Sequence, residues 1–271
     1  YNGKEEQPMP GKWLDYGWRM YDPALGRFHT QDRFAENSSS WSPYHYANNN
    51  PIMNIDVMGD SAWTINNSWN EDYVAQYQSS VQSTIQQYQK DGKEFTCEDL
   101  ALSVMMDFAE SNGLPVTITN GSGTFDARSD DYTDGATFKN DVLTTTAAPD
   151  LQNNQNTTTI NVNQATSGDI ILNRNEEGRA HHTQVVYSPT NDIGVMGIKQ
   201  GNSGAMNIVP GASRVFGAGN PNSSFYTGKP IESSIYVPAA NFYKNYTTGG
   251  TISNYSTTKN IVFKRFNFSK F

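Results

Sequence analysis

The longest helical periodicity in the chain begins at Asn70. Tyr73, Val74, Tyr77, Val81, Ile85 and Tyr88 recur at three-to-four-residue spacing, with Gln and Ser filling most of the positions between them. This is the apolar stripe and solvated outer face of an amphipathic helix. Asn70 is placed to cap it, Glu71 and Asp72 complement the positive end of its dipole, and Gly92 stops it. A second helix is predicted from the Thr96-Cys97-Glu98-Asp99 start signal to Gly113-Leu114-Pro115, a glycine stop with proline beyond. At 3.6 residues per turn Cys97, Leu100, Ala101, Val104, Met105 and Phe108 share one stripe, so the thiol is expected on the core-facing side.

Elsewhere the period falls to two. Ser167-Gly168-Asp169 reads as a turn into a strand at Ile170 to Asn173, Ala180 to Tyr187 reads as a second strand, and Ile193 to Asn202 as a third. A hairpin with a turn at Ser188 to Asp192 sets His182 opposite Ile198 and diagonal to Gln200, with Asn202 farther along the same face. His181 and His182 then point to opposite faces. Asn120-Gly121 after Val116 to Thr119 is a hairpin signal. Residues 122–157 are expected as a surface loop, and Ile261 to Phe268 as a strand closing a sheet. Before Asn70, aromatic residues alternate with Gly, Asp-Pro and Asn-Pro turns, the pattern of short β-hairpins.

Composition narrows the classes. Asn supplies 29 of 271 residues, and 19 basic against 27 acidic side chains leave a net charge of −8. Short polar side chains suit turns and strand edges, so a β-leaning, loop-rich chain is expected. An acidic chain without a Lys/Arg cluster is a poor non-specific nucleic-acid binder. No stretch approaches the roughly 18 apolar residues of a membrane span. The first residue is Tyr1, so the chain is expected to be a piece or processed product of a longer one. The lone Cys97 permits neither an intramolecular disulfide nor a four-cysteine zinc site.

Cys97 is the candidate nucleophile. A thiol in the first turn of a helix faces the positive end of the dipole, which favours the thiolate, while Glu98 and Asp99 oppose it, so a neighbouring base is needed. His182 is the candidate base, and Gln200 or Asn202 the amide that orients it. The bland alternative makes Cys97 a small buried hydrophobe and His182 a hydrogen-bonded core residue. A zinc site would need one histidine, Cys97 and carboxylates from elsewhere.

Two resemblances add to this reading. Leu14-Asp15-Tyr16-Gly17-Trp18-Arg19-Met20-Tyr21-Asp22-Pro23 through Gly26-Arg27-Phe28 to Asp32, followed by Tyr44-His45-Tyr46-Ala47-Asn48-Asn49-Asn50-Pro51, resembles the C-terminal end of an Rhs (YD-repeat) core. It implies a piece of β-shell at residues 1–59, followed by a variable toxin domain at residues 60–271. The family's release signature matches Asn54 to Asp60, with Val57 where that signature has Pro. Residues 93–204 resemble the papain-like cysteine hydrolases, NlpC-type peptidases among them, although Thr96 and Glu98-Asp99 flank the cysteine where NlpC-type proteins carry Asp and Ser-Gly. The fold implied is α+β, a papain-like helix packed on an antiparallel sheet and preceded by a small β-hairpin module. The function implied is a secreted or delivered polymorphic-toxin effector for interbacterial competition, a peptidase or amidase with Cys97 as nucleophile, His182 as base and Gln200 or Asn202 as third member. No cofactor is implied. The backbone N–H of Cys97 would serve as an oxyanion donor, with the Gln89 side chain as a possible second. Expected partners are a peptide or amide substrate, an immunity protein and the rest of the Rhs shell, with no nucleic acid and no membrane span. The alternatives are a metal-dependent nuclease or deaminase, and a non-enzymatic binding module with an inert Cys97.

Overall fold

The computed structural model describes residues 5–8, 11–16, 19–31, 42, 44, 46, 62–129, 132, 134–202, 231–245, 251–252 and 261–271. The expected junction at residues 59 and 60, the release segment Asn54 to Asp60 and the Asn48-Asn49-Asn50-Pro51 turn lie outside them. The chain divides into two compact units: residues 1–68, 109–116 and 125–141 form the first, and residues 69–108, 117–124 and 142–271 the second.

In the first unit, β1 (Glu5–Glu6), β2 (Leu14–Asp15), β3 (Met20–Asp22) and β4 (Arg27–Phe28) form a four-stranded antiparallel meander. The Asp22 carboxylate accepts from the backbone N–H groups of Ala24 and Leu25 and so builds the tight turn between β3 and β4. Its core is aromatic: Tyr16, Tyr21, Phe28 and Tyr46 are buried together with Leu14, their rings 4.4 to 5.8 Å apart.

Two helices lead into the second unit. Helix α1 (Glu71–Lys90) is capped by Asn70, whose side chain accepts from the Tyr73 N–H at 2.9 Å, and it buries Tyr77, Val81, Ile85 and Tyr88. Helix α2 (Cys97–Ser111) carries Glu98 and Asp99 in its first turn. It ends at Gly113, whose φ of 59° lets the Leu114 N–H turn back to Ala109 O. The single stripe expected for α2 is too narrow: every residue from Leu100 to Met106 is buried, so the helix is packed on nearly all sides.

After β5 (Thr117–Asn120) and β6 (Gly123–Asp126), which form a two-stranded sheet, comes α3 (Gly135–Thr145). The loop expected at residues 122–157 is therefore largely regular structure, with Phe138 and Val142 buried on α3. The remaining strands are β7 (Thr157–Ile160), β8 (Ile170–Arg174), β9 (Ala180–Ser188), β10 (Met196–Gly201), β11 (Ile231–Val237), β12 (Phe242–Asn245), β13 (Thr251–Ile252) and β14 (Ile261–Phe266). They form one sheet in the order β13-β12-β11-β10-β9-β8-β14-β7, antiparallel throughout. The tail strand β14 is an inner strand, paired on both sides. Its Arg265 grips Asp169 with two hydrogen bonds of 2.7 and 2.8 Å at the entrance to β8.

These sheets overturn the expected architecture. The described residues hold three sheets, mostly antiparallel, and only three α-helices, a large sheet-rich fold and not a papain-like helix packed on a single sheet. Strands beyond Asn202 and the insertion of β14 between β8 and β7 supply much of the difference, and neither leaves a local periodic signal across the intervening chain. Among the described residues no helix is long and apolar enough to cross a membrane.

The β9–β10 register also differs from expectation. Val186 faces Ile198 and Val185 faces Lys199, with a bulge at Gly197, so the pairing is slid by four residues along β9. The turn is longer than five residues because Asn191 accepts from the Ile193 and Val195 N–H groups and Gly194 takes a φ of 77°. A slide of four preserves parity, and every side chain keeps its predicted face.

Candidate active site

One face of β8 to β11 is apolar at one end and polar at the other. Ile171, Val186, Met196, Ile198, Tyr236 and Tyr243 pack with Ile261 and Phe263 in one buried cluster. Two residues along the same strands, apolar side chains give way to Asn173, His182, Gln184, Gln200 and Glu232. All five are buried, and His182, Gln184, Gln200 and Glu232 expose no measurable surface. The pairing sets His182 opposite Asn173, and Gln200 opposite Glu232.

The hydrogen bonds within this cluster are dense. His182 Nε2 lies 3.0 Å from Gln200 Oε1, which also accepts from Gln184 Nε2 at 2.6 Å and from the Tyr243 hydroxyl at 3.3 Å. Gln200 Nε2 donates to Glu232 Oε2 at 3.0 Å, and Asn202 Nδ2 donates to the same oxygen at 2.8 Å. Asn173 Nδ2 donates to Gln184 Oε1 at 3.2 Å. Of the two amides proposed to orient His182, Gln200 touches the ring, and Asn202 is held by Glu232.

Helix α2 reaches this place at its first residue. The Thr183 backbone N–H points to the Cys97 sulfur, so the thiol lies against β9 at the residue that follows His182. Gly201 makes that approach possible: a Cβ there would sit 2.3 Å from the Thr96 carbonyl oxygen. The fold thus sets Cys97 against β9 beside Thr183, and Gln200 against the His182 ring. Gln89 is exposed, and its side-chain carbonyl accepts from Lys199 Nζ at 3.1 Å.

Electrostatics favour neutral partners at rest. Burial pushes the Cys97 thiol well up, and the adjacent Glu98 carboxylate adds to the rise, outweighing the Thr183 N–H. The thiol proton is donated to Glu98 Oε2 at 2.7 Å. Burial also lowers His182 from 6.5 to about 4, against the pull of its hydrogen bond to Gln200. Asp99 rises from 3.8 to about 7, chiefly by burial and then by the charge of Glu98. The helix dipole expected to favour the thiolate is overridden by desolvation and by Glu98. His181 is exposed on the other side of its strand, and among the described residues no three His, Cys, Asp or Glu side chains cluster as metal ligands.

Sequence reasoning missed Glu232, Tyr243 and Asn173, and it saw Glu98 only as a charge opposing the thiolate, not as the acceptor of its proton. Asn173 and Gln184 were within reach of a period-two count, since each sits on the predicted His182 face.

Comparison with known proteins adds little. No family model matches the chain, and no solved structure matches it. A stretch of 88 residues is 34% identical to salivary gland surface protein 1 of Aedes aegypti, covering 26% of this chain and 2% of that protein. The chain spans only a small fraction of that relative's length.

Proposed function

We propose that this chain carries a thiol-dependent acyl-transfer site, hydrolysing or transferring a peptide or amide bond, as the effector part of an Rhs-type polymorphic toxin. One observation carries the chemistry: the Cys97 sulfur abuts the strand residue after His182, while the Nε2 edge of that ring is held by Gln200. The Rhs assignment rests on the run from Leu14 to Asp32 and the Tyr44 to Pro51 pattern. Delivery into a target cell and a cognate immunity protein follow from that assignment.

In the proposed reaction Cys97 turns its S–H from Glu98 toward His182, which takes the proton as general base while the sulfur attacks the substrate carbonyl carbon. The oxyanion that forms is met by the Cys97 backbone N–H at the start of α2. His182 then gives its proton to the leaving amine, the C–N bond breaks and a thioester remains, which water or a second amine resolves with His182 acting again as base. A neutral imidazole suits this role, because an imidazolium has no lone pair to accept the thiol proton.

The opposing reading is a binding module whose Cys97 is inert, and its supporting observation is the thiol's 8% exposure and its hydrogen bond to Glu98. Iodoacetamide labelling of the folded chain separates the two. The acyl-transfer reading expects Cys97 to be alkylated at a rate that falls in His182→Ala, and toxicity to vanish in Cys97→Ala. Full toxicity of Cys97→Ala overturns it.

A further inference from the structure

We propose that Glu232 is a positioning residue for this site: acting through the Gln200 amide, it sets which ring nitrogen of His182 carries the proton. The inference rests on the reading of Cys97 and His182 as thiol and base, and it adds a fourth member on a strand distant in sequence from both.

The argument is one of hydrogen-bond direction. Glu232 Oε2 accepts from two amides, so both present their N–H₂ groups to it, Gln200 at 3.0 Å and Asn202 at 2.8 Å. With its nitrogen committed there, Gln200 turns its carbonyl oxygen toward β9. That oxygen meets His182 Nε2 at 3.0 Å and Gln184 Nε2 at 2.6 Å. A carbonyl cannot donate, so His182 Nε2 must. The neutral ring is then the Nε2–H tautomer, and its lone pair lies on Nδ1, the nitrogen left to serve as base in the proposed reaction.

The same rule runs outward along the sheet. Gln184 gives its N–H₂ to Gln200 and to the Tyr243 oxygen at 3.2 Å, which leaves its own carbonyl to accept from Asn173 Nδ2. Every amide in the chain of contacts has one orientation consistent with a terminal acceptor at Glu232. A reversed Gln200 would set its N–H₂ against that of Gln184 and its oxygen against the carboxylate. Glu232 and Gln200 are both fully buried, so bulk water does not stand in for either partner.

Glu232→Gln removes the constraint at almost constant volume, because the new amide can donate or accept. Gln200 then loses its single preferred orientation, and the reversed amide offers an N–H to His182 Nε2. The ring proton moves to Nδ1, and that nitrogen can no longer accept from Cys97.

The experiment reads the tautomer directly. Long-range proton–nitrogen spectra of the ¹⁵N-labelled full chain at neutral pH report which His182 nitrogen is protonated, and iodoacetamide reports the Cys97 rate. The proposal expects Nε2–H alone in the wild type, a mixed or reversed tautomer in Glu232→Gln, and alkylation at least about tenfold slower in that variant, since a base in the wrong tautomer cannot take the proton. Gln200→Glu combined with Glu232→Gln puts an acceptor-only group beside His182 and restores the Nε2 proton. If the single variant fails to fold, this exchange decides the matter. A wild-type proton on Nδ1, or a Glu232→Gln protein that keeps Nε2–H alone, overturns the proposal. An alkylation rate indifferent to His182→Ala instead overturns the acyl-transfer reading, and a tautomer that still responds to Glu232 shows the orienting role to stand without it.

Discussion

Val186 and His182 lie on the same strand and the same face, four residues apart and equally buried, yet their surroundings are chemical opposites. Around Val186 the strands offer Ile171, Met196, Ile198 and Tyr236, and burial there is favourable at about 25 cal/mol for each Å² removed from water. Around His182 they offer Asn173, Gln184, Gln200 and Glu232, each of which lost water and regained hydrogen bonds within the cluster. A satisfied polar network of this kind adds little net stability over apolar residues of equal volume, but cutting it leaves stranded groups that cost several kcal/mol. The apolar half accounts for the fold. The polar half is better explained by direction, because its hydrogen bonds orient one imidazole.

That contrast predicts a separation of effects. Cys97→Ala gives the largest: toxicity and thiol labelling are lost, a drop on the order of 10³-fold or more of the kind seen when a catalytic nucleophile is removed. Denaturant unfolding of the same variant shows little change, because a small side chain replaces a small one at the helix start. A Cys97→Ala protein that unfolds far more readily and keeps its toxicity would reverse the assignment of roles.

Ile198→Ala tests the other half. Deleting a buried aliphatic side chain from the apolar cluster costs about 2–5 kcal/mol of unfolding free energy. Activity per folded molecule stays near wild type at temperatures where the variant is folded, provided the cavity does not spread two residues to Gln200. Unfolding midpoints and activity measured on one sample check both parts.

A pH comparison comes next. His182 is lowered from 6.5 to about 4 on folding, so as pH falls from 6.5 through 4 the unfolded chain takes up the proton first and stability is lost. Asp99 is raised from 3.8 to about 7, so over nearly the same window stability is lost as pH rises, and the two groups offset each other. His182→Gln removes one of them. Relative to wild type, the variant gains unfolding free energy as pH falls from 6.5 to 4, reaching about 3 kcal/mol. A difference that does not vary with pH would show that His182 titrates normally and is not buried as described.

Much of the helical part was legible in the chain. The stripe from Tyr73 to Tyr88, its Asn70 cap and the stop at Gly113 rest on local rules of spacing and capping, and the structure realises them. Cys97 and His182 could be named because each sat on an element with a clear period. Glu232 could not, and the reason is physical. In Ile231-Glu232-Ser233-Ser234-Ile235-Tyr236-Val237 the alternation puts the aliphatic residues on one face, yet the strand buries Glu232, Ser234 and Tyr236 and leaves Ile231, Ile235 and Val237 half-buried. A period-two reading assigns that strand the wrong inner face, because a fixed polar site reverses the usual preference. The slid register of β9 and β10 escaped for a different reason, since it depends on a glycine turn and a bulge that only the folded hairpin reveals.

The smallest effect separates Gln200 from Asn202, which spacing alone left as equals. Gln200 contacts the ring, whereas Asn202 shares only the Glu232 oxygen with it. Asn202→Ala leaves the carboxylate still accepting from Gln200, so the amide keeps its orientation and His182 its tautomer. The expected loss of Cys97 labelling rate is a few-fold, the equivalent of about 1 kcal/mol for one neutral partner withdrawn. Gln200→Ala removes the acceptor at Nε2 and leaves Glu232, Gln184 and His182 each short of a partner, so its loss is larger and comes with a shifted ring proton. Equal losses in the two variants would mean that Asn202 orients the imidazole as well.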